Sequence, residues 1–325
     1  MKTAFLYAKI VLSAGDISFL RSWTDFLIPE EKMIITKVTG IGDPFVLSDD
    51  GTYYLYATSA ADGFKVWTSK DLINWEENGK CYKNSHWGEG CFWAPEAYKY
   101  KGKYYLLFTA TWKKNHSRRI GLAVSDSPLG PFKDIKDGPL FDEGYSAIDA
   151  TFLFDDDGKN YIYYVRECVE NMVDGRNTSE IYGAEISADL TTLLTTPVLI
   201  STPSGFEKKM NWDWPINEGP VVVKYNQRYY LNYSADGYTS RNYCVCCAES
   251  DNPLGGFKKY DDNPILKYKE NEFSGPGHNS IFKGFDGNLY TSFHIHTDYE
   301  HPSGDRTVCF ARVEFDETGK MKIVL

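Results

Sequence analysis

Short segments of this chain alternate hydrophobic and polar positions, and five of them are rich in tyrosine and follow a tight turn. The turn is centred on a glycine in four copies and on Asn226-Gln227 in the other. The tyrosines at equivalent positions are Tyr54, Tyr105, Tyr161, Tyr230 and Tyr290, with spacings of 51 to 69 residues. Asp-Gly and similar pairs between β-prone segments predict β-hairpins. No long segment with helical periodicity interrupts this repeat.

A further strand-like segment follows most hairpins and ends in a turn rich in Ser and Asp, at 69–72, 125–129, 187–190 and 250–254. Each unit therefore holds three or four strands. Five units predict an all-β fold, a single five-bladed β-propeller, in which radial repetition leaves only short strand edges exposed. Two β-sandwich domains are the alternative, but they would not repeat one hairpin signature five times. We expect the propeller to span residues 38–325, with residues 1–37 as an N-terminal extension.

Ionisable residues recur at one phase of the repeat, on the strand that leads into each turn. Counting back eight or nine residues from the turn gives Asp43, Asp149, Glu218 and His278, and the second copy has residues 93–96 there. Each residue alone is typical of a turn or strand start. Because equivalent positions of successive blades lie at equal radius around one axis, we expect the carboxylates to share a pocket at one mouth of the central channel. Clustered like charges shift pKa values and are typical of catalytic sites.

Paired carboxyl groups beside a sugar-sized pocket indicate glycoside hydrolysis. One protonated carboxyl group donates a proton to the leaving oxygen, and an ionised one activates water or attacks carbon. Aromatic side chains near the pocket could stack on sugar rings, although a single tryptophan is more often a core residue. The candidates are Trp87, Phe92, Trp93, Trp112, Trp212 and Trp214.

The motifs at these positions resemble those of family 43 glycoside hydrolases. They are Gly42-Asp43-Pro44-Phe45-Val46, Trp93-Ala94-Pro95-Glu96, Ile148-Asp149, Asn217-Glu218-Gly219-Pro220, Gly275-Pro276-Gly277-His278 and Gly304-Asp305-Arg306. The resemblance covers about residues 38–325 and implies a five-bladed propeller that acts on arabinose- or xylose-containing oligosaccharides or polysaccharides. One departure is Ala150, where the family often has proline.

The resemblance also implies roles for individual residues. Asp43 would be the general base that activates water, Glu218 the general acid, and Asp149 the residue that holds Glu218 and raises its pKa. The family inverts configuration, which implies an acid-to-base separation of ~6.5–9.5 Å. We expect substrate contacts from Trp93, Glu96, Trp212, His278 and Arg306. No cofactor is expected to be required, but His278 matches a histidine that lies beside a hydrated calcium ion in several members, so Ca²⁺ in the central channel is an option.

The leading hypothesis is an inverting hydrolase that releases terminal α-L-arabinofuranosyl or β-D-xylosyl residues. An open groove would instead favour an endo-acting arabinanase. A non-catalytic propeller that binds sugars or proteins predicts dispersed carboxylates. A fructan hydrolase would start with an Asn-Asp-Pro-Asn type motif, and a mannoside phosphorylase would need a cationic cluster for phosphate.

Composition limits the partners. The net charge is -10 and no basic block occurs, which argues against nucleic acid and anionic membranes as partners. No apolar segment reaches the ~20 residues that span a bilayer. Seven cysteines, an odd number, are not a disulfide framework, and we expect small buried side chains in a reducing compartment. A cytoplasmic location is favoured over export, because Lys9 interrupts the apolar N-terminal segment; the oligomeric state is not predicted.

Overall fold

The computed structural model describes residues 33–210 and 213–325. Its strands are β1 (Ile34–Thr39), β2 (Gly42–Asp49), β3 (Thr52–Thr58), β4 (Gly63–Ser69), β5 (Glu76–Lys83), β6 (Trp93–Tyr100), β7 (Lys103–Thr111), β8 (Arg118–Ser125), β9 (Lys133–Asp134), β10 (Ala147–Phe154), β11 (Asn160–Arg166), β12 (Met172–Val173), β13 (Arg176–Asn177), β14 (Glu180–Ile186), β15 (Val198–Ser201), β16 (Asn217–Tyr225), β17 (Arg228–Ala235), β18 (Cys244–Ser250), β19 (Lys258–Lys259), β20 (Gly277–Lys283), β21 (Leu289–His296), β22 (Arg306–Phe315) and β23 (Met321–Val324). Short 3-10 turns occur at Cys168–Glu170 and Glu207–Lys209. Within the described ranges, no helix is long and apolar enough to cross a membrane.

These strands form five antiparallel sheets arranged as a β-propeller, as the repeat predicts. The first four blades are β2-β3-β4-β5, β6-β7-β8-β9, β10-β11-β14-β15 and β16-β17-β18-β19. The fifth is β20-β21-β22-β1, and β23 also pairs with β22. The hairpin β12-β13 is an insertion in the third blade. The first strands of neighbouring blades contact one another and form a closed ring: β2 contacts β6, β6 contacts β10, β10 contacts β16, β16 contacts β20, and β20 contacts β2.

The ring is closed by the start of the described chain. Strand β1 pairs antiparallel with β22, and Ile34 lies opposite Phe310. The first strand therefore completes the last blade, which leaves no gap between the two ends of the propeller. Residues 34–37, which the sequence placed in the extension, belong to this strand, and residues 1–32 lie outside the described part of the chain.

The predicted hairpin turns have the backbone conformation that their residues favour. In the first blade, Asp49 pairs with Thr52 and the two residues between them, Asp50 and Gly51, have φ of 45° and 66°. Positive φ at both central positions is the requirement of a type I′ turn, whose twist matches that of the flanking strands. The fourth blade makes the same turn with Asn226 and Gln227. The repeat was visible in sequence because this turn tolerates few residue types.

Tyrosine hydroxyl groups link neighbouring blades, which explains part of the high aromatic content. Tyr56 in the first blade donates a hydrogen bond to the carbonyl oxygen of Pro128 in the second. Tyr163 in the third blade makes the same bond to Pro253 in the fourth. Both rings are fully buried, so each fills the core between two sheets while its polar end is satisfied.

The cysteines are part of this core. All seven lie in the described ranges, none forms a disulfide, and all but Cys91 are buried. They pack as small apolar side chains, as expected from their odd number and spacing.

Candidate active site

The first strand of every blade begins with the same β-bulge. Pairing with the second strand breaks after the first or second pair and resumes three residues later, as between Gly42 and Phe45. The residue that follows the last pair before the break has a positive φ in each blade: Asp43 (57°), Ala94 (46°), Asp149 (53°), Gly219 (54°) and His278 (46°). Non-glycine residues adopt this conformation at a cost, and such strain concentrates at functional sites. The five bulges therefore mark one end of the channel as the place to look for chemistry.

The bulges also correct the alignment made from sequence. Asp43, Asp149 and His278 occupy the same bulge position, as expected. Glu218 does not, because it is the last paired residue before the break, opposite Ser234, and Gly219 takes the bulge position. The prediction of one shared phase was wrong by one residue for Glu218, because the hairpin loops differ in length: two residues follow β16, whereas five follow β10 and β20.

The three carboxylates nevertheless line a single cavity. Its volume is about 240 Å³, and its lining residues are Asp43, Thr58, Trp93, Ile148, Asp149, Glu167, Cys168, Val169, Trp214, Ile216, Glu218, Gly237, Tyr238, His278 and Arg306. All five blades contribute to the cavity through their first strands, β2, β6, β10, β16 and β20. Of the predicted substrate contacts, Trp93, His278 and Arg306 are in this set.

Other predicted contacts lie elsewhere. Glu96 does not line the cavity; its carboxylate is buried and accepts a hydrogen bond from Tyr98. Burial raises the pKa of Glu96 to about 8, so its chemistry is that of a neutral core group. Trp212 lies outside the described residues. Trp87 and Phe92 are core residues, and both pack against Phe108.

Asp43 is held in its ionised form. Its Oδ1 accepts a hydrogen bond of 2.9 Å from Arg306, and its Oδ2 accepts one of 2.5 Å from Thr58. Burial alone would raise the pKa of Asp43, but the adjacent Arg306 guanidinium and the Thr58 hydroxyl hold it well below its usual range. His278 is also near, with its Nδ1 3.4 Å from Oδ1. An ionised carboxylate of this kind can accept a proton from water.

The glycine of the Gly42-Asp43-Pro44 motif makes room for Arg306. A Cβ added at Gly42 would lie 1.9 Å from the Cζ of Arg306. The guanidinium therefore lies directly against the Gly42 backbone, where it reaches Asp43, and Tyr238 packs on it with its ring centre 5.0 Å from Cζ. Any larger residue at position 42 would displace the cation that keeps Asp43 ionised.

Asp149 and Glu218 form a coupled pair with the opposite electrostatics. Burial raises the pKa of Asp149 to about 8, His278 opposes this, and Glu218 and Asp43 add to it. Burial also raises the pKa of Glu218 to about 7, where hydrogen bonding from Tyr243 opposes it and Asp43 and Glu167 add to it. The pair titrates as a unit and retains a proton near neutral pH. The site therefore combines an ionised carboxylate with a carboxyl group able to donate.

Two contacts orient this pair. The Oδ2 of Asp149 accepts a hydrogen bond of 3.2 Å from the N–H of Gly219, the residue after Glu218. The hydroxyl of Tyr243 donates to Oε1 of Glu218 at 2.8 Å. The N–H of Gly219 favours the ionised form of Asp149, and the Tyr243 hydroxyl favours the ionised form of Glu218, so the two carboxyl groups compete for the shared proton.

Glu167, a further carboxylate in the cavity wall, was not predicted from the sequence. Its Oε2 accepts hydrogen bonds from Arg118 Nε and Ser146 Oγ, both at 2.5 Å. Arg118 in turn lies over the ring of Trp93, with its Cζ 5.2 Å from the ring centre. Glu167 lies just beyond β11, where the chain leaves the blade repeat, so no phase could identify it. Tyr243 and Thr58 were missed for a similar reason, since neither belongs to a quoted motif.

A directly bound metal ion does not fit the described residues. In residues 33–210 and 213–325, no group of three or more His, Cys, Asp and Glu side chains converges on one point. His278 lies beside Asp43 and Arg306, a setting that would allow contact to a cation only through water. Calcium in the channel stays a prediction.

A family model described as "Glycosyl hydrolases family 43" matches residues 38–321. The chain belongs to glycosyl hydrolase family 43. This membership confirms the resemblance found in the motifs and makes the chain an O-glycosyl hydrolase by class. The inverting chemistry that is general to family 43 needs an acid and a base, and the cavity offers both kinds of carboxyl group.

A solved family-43 structure and two curated glycosidases have similar sequences. A crystal structure of a thermostable family-43 glycoside hydrolase is 45% identical with a TM-score of 0.85, and the match covers 89% of this chain and 94% of that one. The beta-D-galactofuranosidase xynD of Aspergillus niger is 26% identical over 86% of this chain and 81% of its own length. A xylan 1,3-beta-xylosidase of a Vibrio species is 28% identical over 81% of this chain, which spans only 49% of that relative. The two curated relatives are named for different sugars, galactofuranose and xylose.

Proposed function

We propose that this chain is an inverting glycoside hydrolase that releases terminal α-L-arabinofuranosyl or β-D-xylosyl residues from plant-derived glycans. The proposal rests on the different protonation states of carboxyl groups in one cavity. Arg306 keeps Asp43 ionised, and Glu218 shares a proton with Asp149 near neutral pH. A propeller that only binds ligands has no need to gather three carboxylates in one cavity, because their mutual repulsion costs stability.

In the proposed reaction, Asp43 removes a proton from a water molecule as that water attacks the anomeric carbon. Glu218 donates its proton to the glycosidic oxygen, which leaves as the sugar or polysaccharide alcohol. The bond from carbon to the leaving oxygen breaks while the bond to the water oxygen forms, so configuration inverts. Tyr243 fixes Oε1 of Glu218, and the proton to be donated is carried by Oε2. Asp149 stays ionised and disfavours early loss of that proton.

The size of the cavity supports removal of one sugar at a time. Its volume of about 240 Å³ is below the ~300–1,000 Å³ of sites for larger ligands. Trp93, Val169, Trp214 and Tyr238 form its walls, and Trp214 is 39% exposed. An exposed indole at the rim of such a site can stack on a second sugar ring outside the cavity. An endo-acting enzyme would need an open groove across this rim.

Hydrolysis of a substrate panel tests the proposal. The panel contains nitrophenyl α-L-arabinofuranoside, β-D-xyloside and β-D-galactofuranoside together with linear arabinan. We expect release of free arabinose or xylose, with the inverted anomer appearing first by NMR. Oligosaccharides from arabinan in place of monosaccharide would identify an endo-acting enzyme. Preference for the galactofuranoside would contradict the proposed sugar, and retention of configuration would contradict the mechanism.

A further inference from the structure

Each bulge is fastened to the preceding blade through its backbone N–H, and in four blades the acceptor is the side chain at one fixed position. Ala94 N–H donates to Thr58 Oγ1 at 2.9 Å, Asp149 N–H to Thr109 Oγ1 at 3.0 Å, His278 N–H to Ser234 Oγ at 2.7 Å and Asp43 N–H to His294 Nδ1 at 3.2 Å. Burial lowers the pKa of His294, so its ring is neutral and Nδ1 can accept. Every acceptor lies on the second strand of its blade, opposite the first residue of the bulge.

The third blade breaks this rule. The residue opposite Ile148, where the other blades have Thr58, Thr109, Ser234 and His294, is Val165. Its side chain has no acceptor atom and is fully buried in the apolar cluster that contains Ile148 and Val222. The bulge of the fourth blade therefore has no side chain at this position to receive the N–H of Gly219. That N–H donates to Oδ2 of Asp149 instead.

We propose that Val165 is a positioning residue: by lacking an acceptor, it brings the carboxylate of Asp149 into direct contact with the backbone that carries Glu218. This inference rests on the proposed function of Asp149 and Glu218. It identifies a fully buried apolar side chain, outside the cavity lining and outside every quoted motif, as a determinant of the acid's environment.

The first blade shows what a hydroxyl at this position does. Thr58 accepts the N–H of Ala94 and donates to Oδ2 of Asp43, so the hydroxyl stands between the carboxylate and the next blade. In the third blade the carboxylate makes that contact itself. A hydroxyl at position 165 would accept the hydrogen bond from the Gly219 N–H. The carboxylate of Asp149 would then lie behind that hydroxyl, further from the backbone of the fourth blade. Asp149 would then act less strongly on Glu218, because a Coulomb interaction weakens with distance.

The variant Val165→Thr tests this directly, since threonine is close to valine in shape. Val165→Ala is the matched control, because it loosens packing but adds no hydroxyl. In wild type and in Val165→Ala, the amide proton shift of Gly219 should follow the titration of the Asp149–Glu218 pair in spectra of ¹⁵N-glycine-labelled protein. In Val165→Thr the amplitude of that shift should fall by about half or more. His278 and Asp43, the other charged groups acting on Asp149, are unchanged in all three proteins.

Kinetics give the second readout. In Val165→Thr we expect the alkaline limb of the pH–rate profile to move to lower pH, and glycosides with poor leaving groups to lose about tenfold in rate while nitrophenyl glycosides lose less. Val165→Ala should keep the wild-type limb. Wild-type behaviour of Val165→Thr in both measurements, or equal changes in Val165→Ala, would overturn the inference. Val165→Ser, which carries the hydroxyl found at Ser234, replaces Val165→Thr if that protein does not fold. If the wild type hydrolyses no glycoside, the proposed function fails, and the amide titration still decides the role of Val165.

Discussion

Asp43 in the first blade and Asp149 in the third occupy the same position of the same bulge, with φ of 57° and 53°. Their electrostatics are opposite. Arg306 and Thr58 hold the pKa of Asp43 below its usual range, whereas burial near Glu218 raises that of Asp149 to about 8. The repeated backbone thus places a carboxylate at the channel mouth, and non-repeated neighbours determine whether it is held ionised or shares a proton with a neighbouring carboxyl group.

The largest effect is expected from Asp43→Asn. Asparagine tolerates the left-handed backbone that alanine would strain, so the variant removes the charge and leaves the bulge. Loss of the base should lower kcat/KM by about 10⁴-fold, measured on the preferred substrate of the panel. Asp62→Asn is the control, because Asp62 is exposed and pairs only with Lys80 in the described part of the chain. Activity within tenfold of wild type would exclude Asp43 as the base.

Glu218→Gln should have the next largest effect, and it should depend on the leaving group. Natural glycosides need a proton on the departing oxygen, so their rate should fall by about 10²- to 10³-fold. Nitrophenyl glycosides need it less and should lose far less rate. Comparing kcat/KM for both kinds of substrate measures the difference. If both lose rate equally, Glu218 is not the acid.

Asp149→Asn should act through Glu218. The negative charge of Asp149 disfavours ionisation of Glu218, so its removal should lower the pKa of Glu218 and move the alkaline limb of the profile down by about one unit. We expect about a fivefold loss at pH 7, because the protonated fraction of Glu218 then falls from about one half to about one tenth. An unchanged alkaline limb, with kcat/KM followed from pH 5 to 9, would show that Asp149 does not tune the acid.

The sequence was sufficient for the parts of the molecule that repeat. The hairpin turns require positive φ and few residue types satisfy it, so five copies were visible and the blades followed. Convergence of Asp43, Asp149 and Glu218 then followed from symmetry. Residues that depart from the repeat could not be predicted from symmetry. Glu167 lies in an insertion, and Val165 matters because it departs from a pattern that only the strand register defines.

Glu96 shows why a motif does not fix a role. It belongs to the Trp93-Ala94-Pro95-Glu96 motif, but only Trp93 lines the cavity. After the bulge at Ala94 the strand resumes its pairing, so Glu96 lies at the position of Phe45 in the first blade and is buried like it. Side-chain direction depends on the register after a bulge, which the residue types alone do not specify.

The smallest expected effect is on thermal stability, and it should have opposite signs for substitutions of Asp43 and Asp149. The pKa of Asp43 is lowered by folding, so its charge stabilises the fold above the unfolded pKa of about 3.9, and this contribution is lost as pH falls. The pKa of Asp149 is raised to about 8, so the free energy of unfolding falls as pH rises from about 4 towards 8.

At pH 8, Asp43→Asn should therefore melt at a lower temperature than wild type and Asp149→Asn at a higher one, each by about 2 °C. At pH 4 the difference for Asp149→Asn should nearly vanish, because that carboxyl group is then protonated in the folded protein. The difference for Asp43→Asn should largely persist at pH 4, because the pKa of Asp43 in the folded protein lies well below this pH. Thermal unfolding of both variants and of Asp62→Asn across this range measures the contrast. If both variants shift the melting temperature in the same direction at pH 8, the charges of Asp43 and Asp149 do not have opposite effects on stability, and the prediction is wrong.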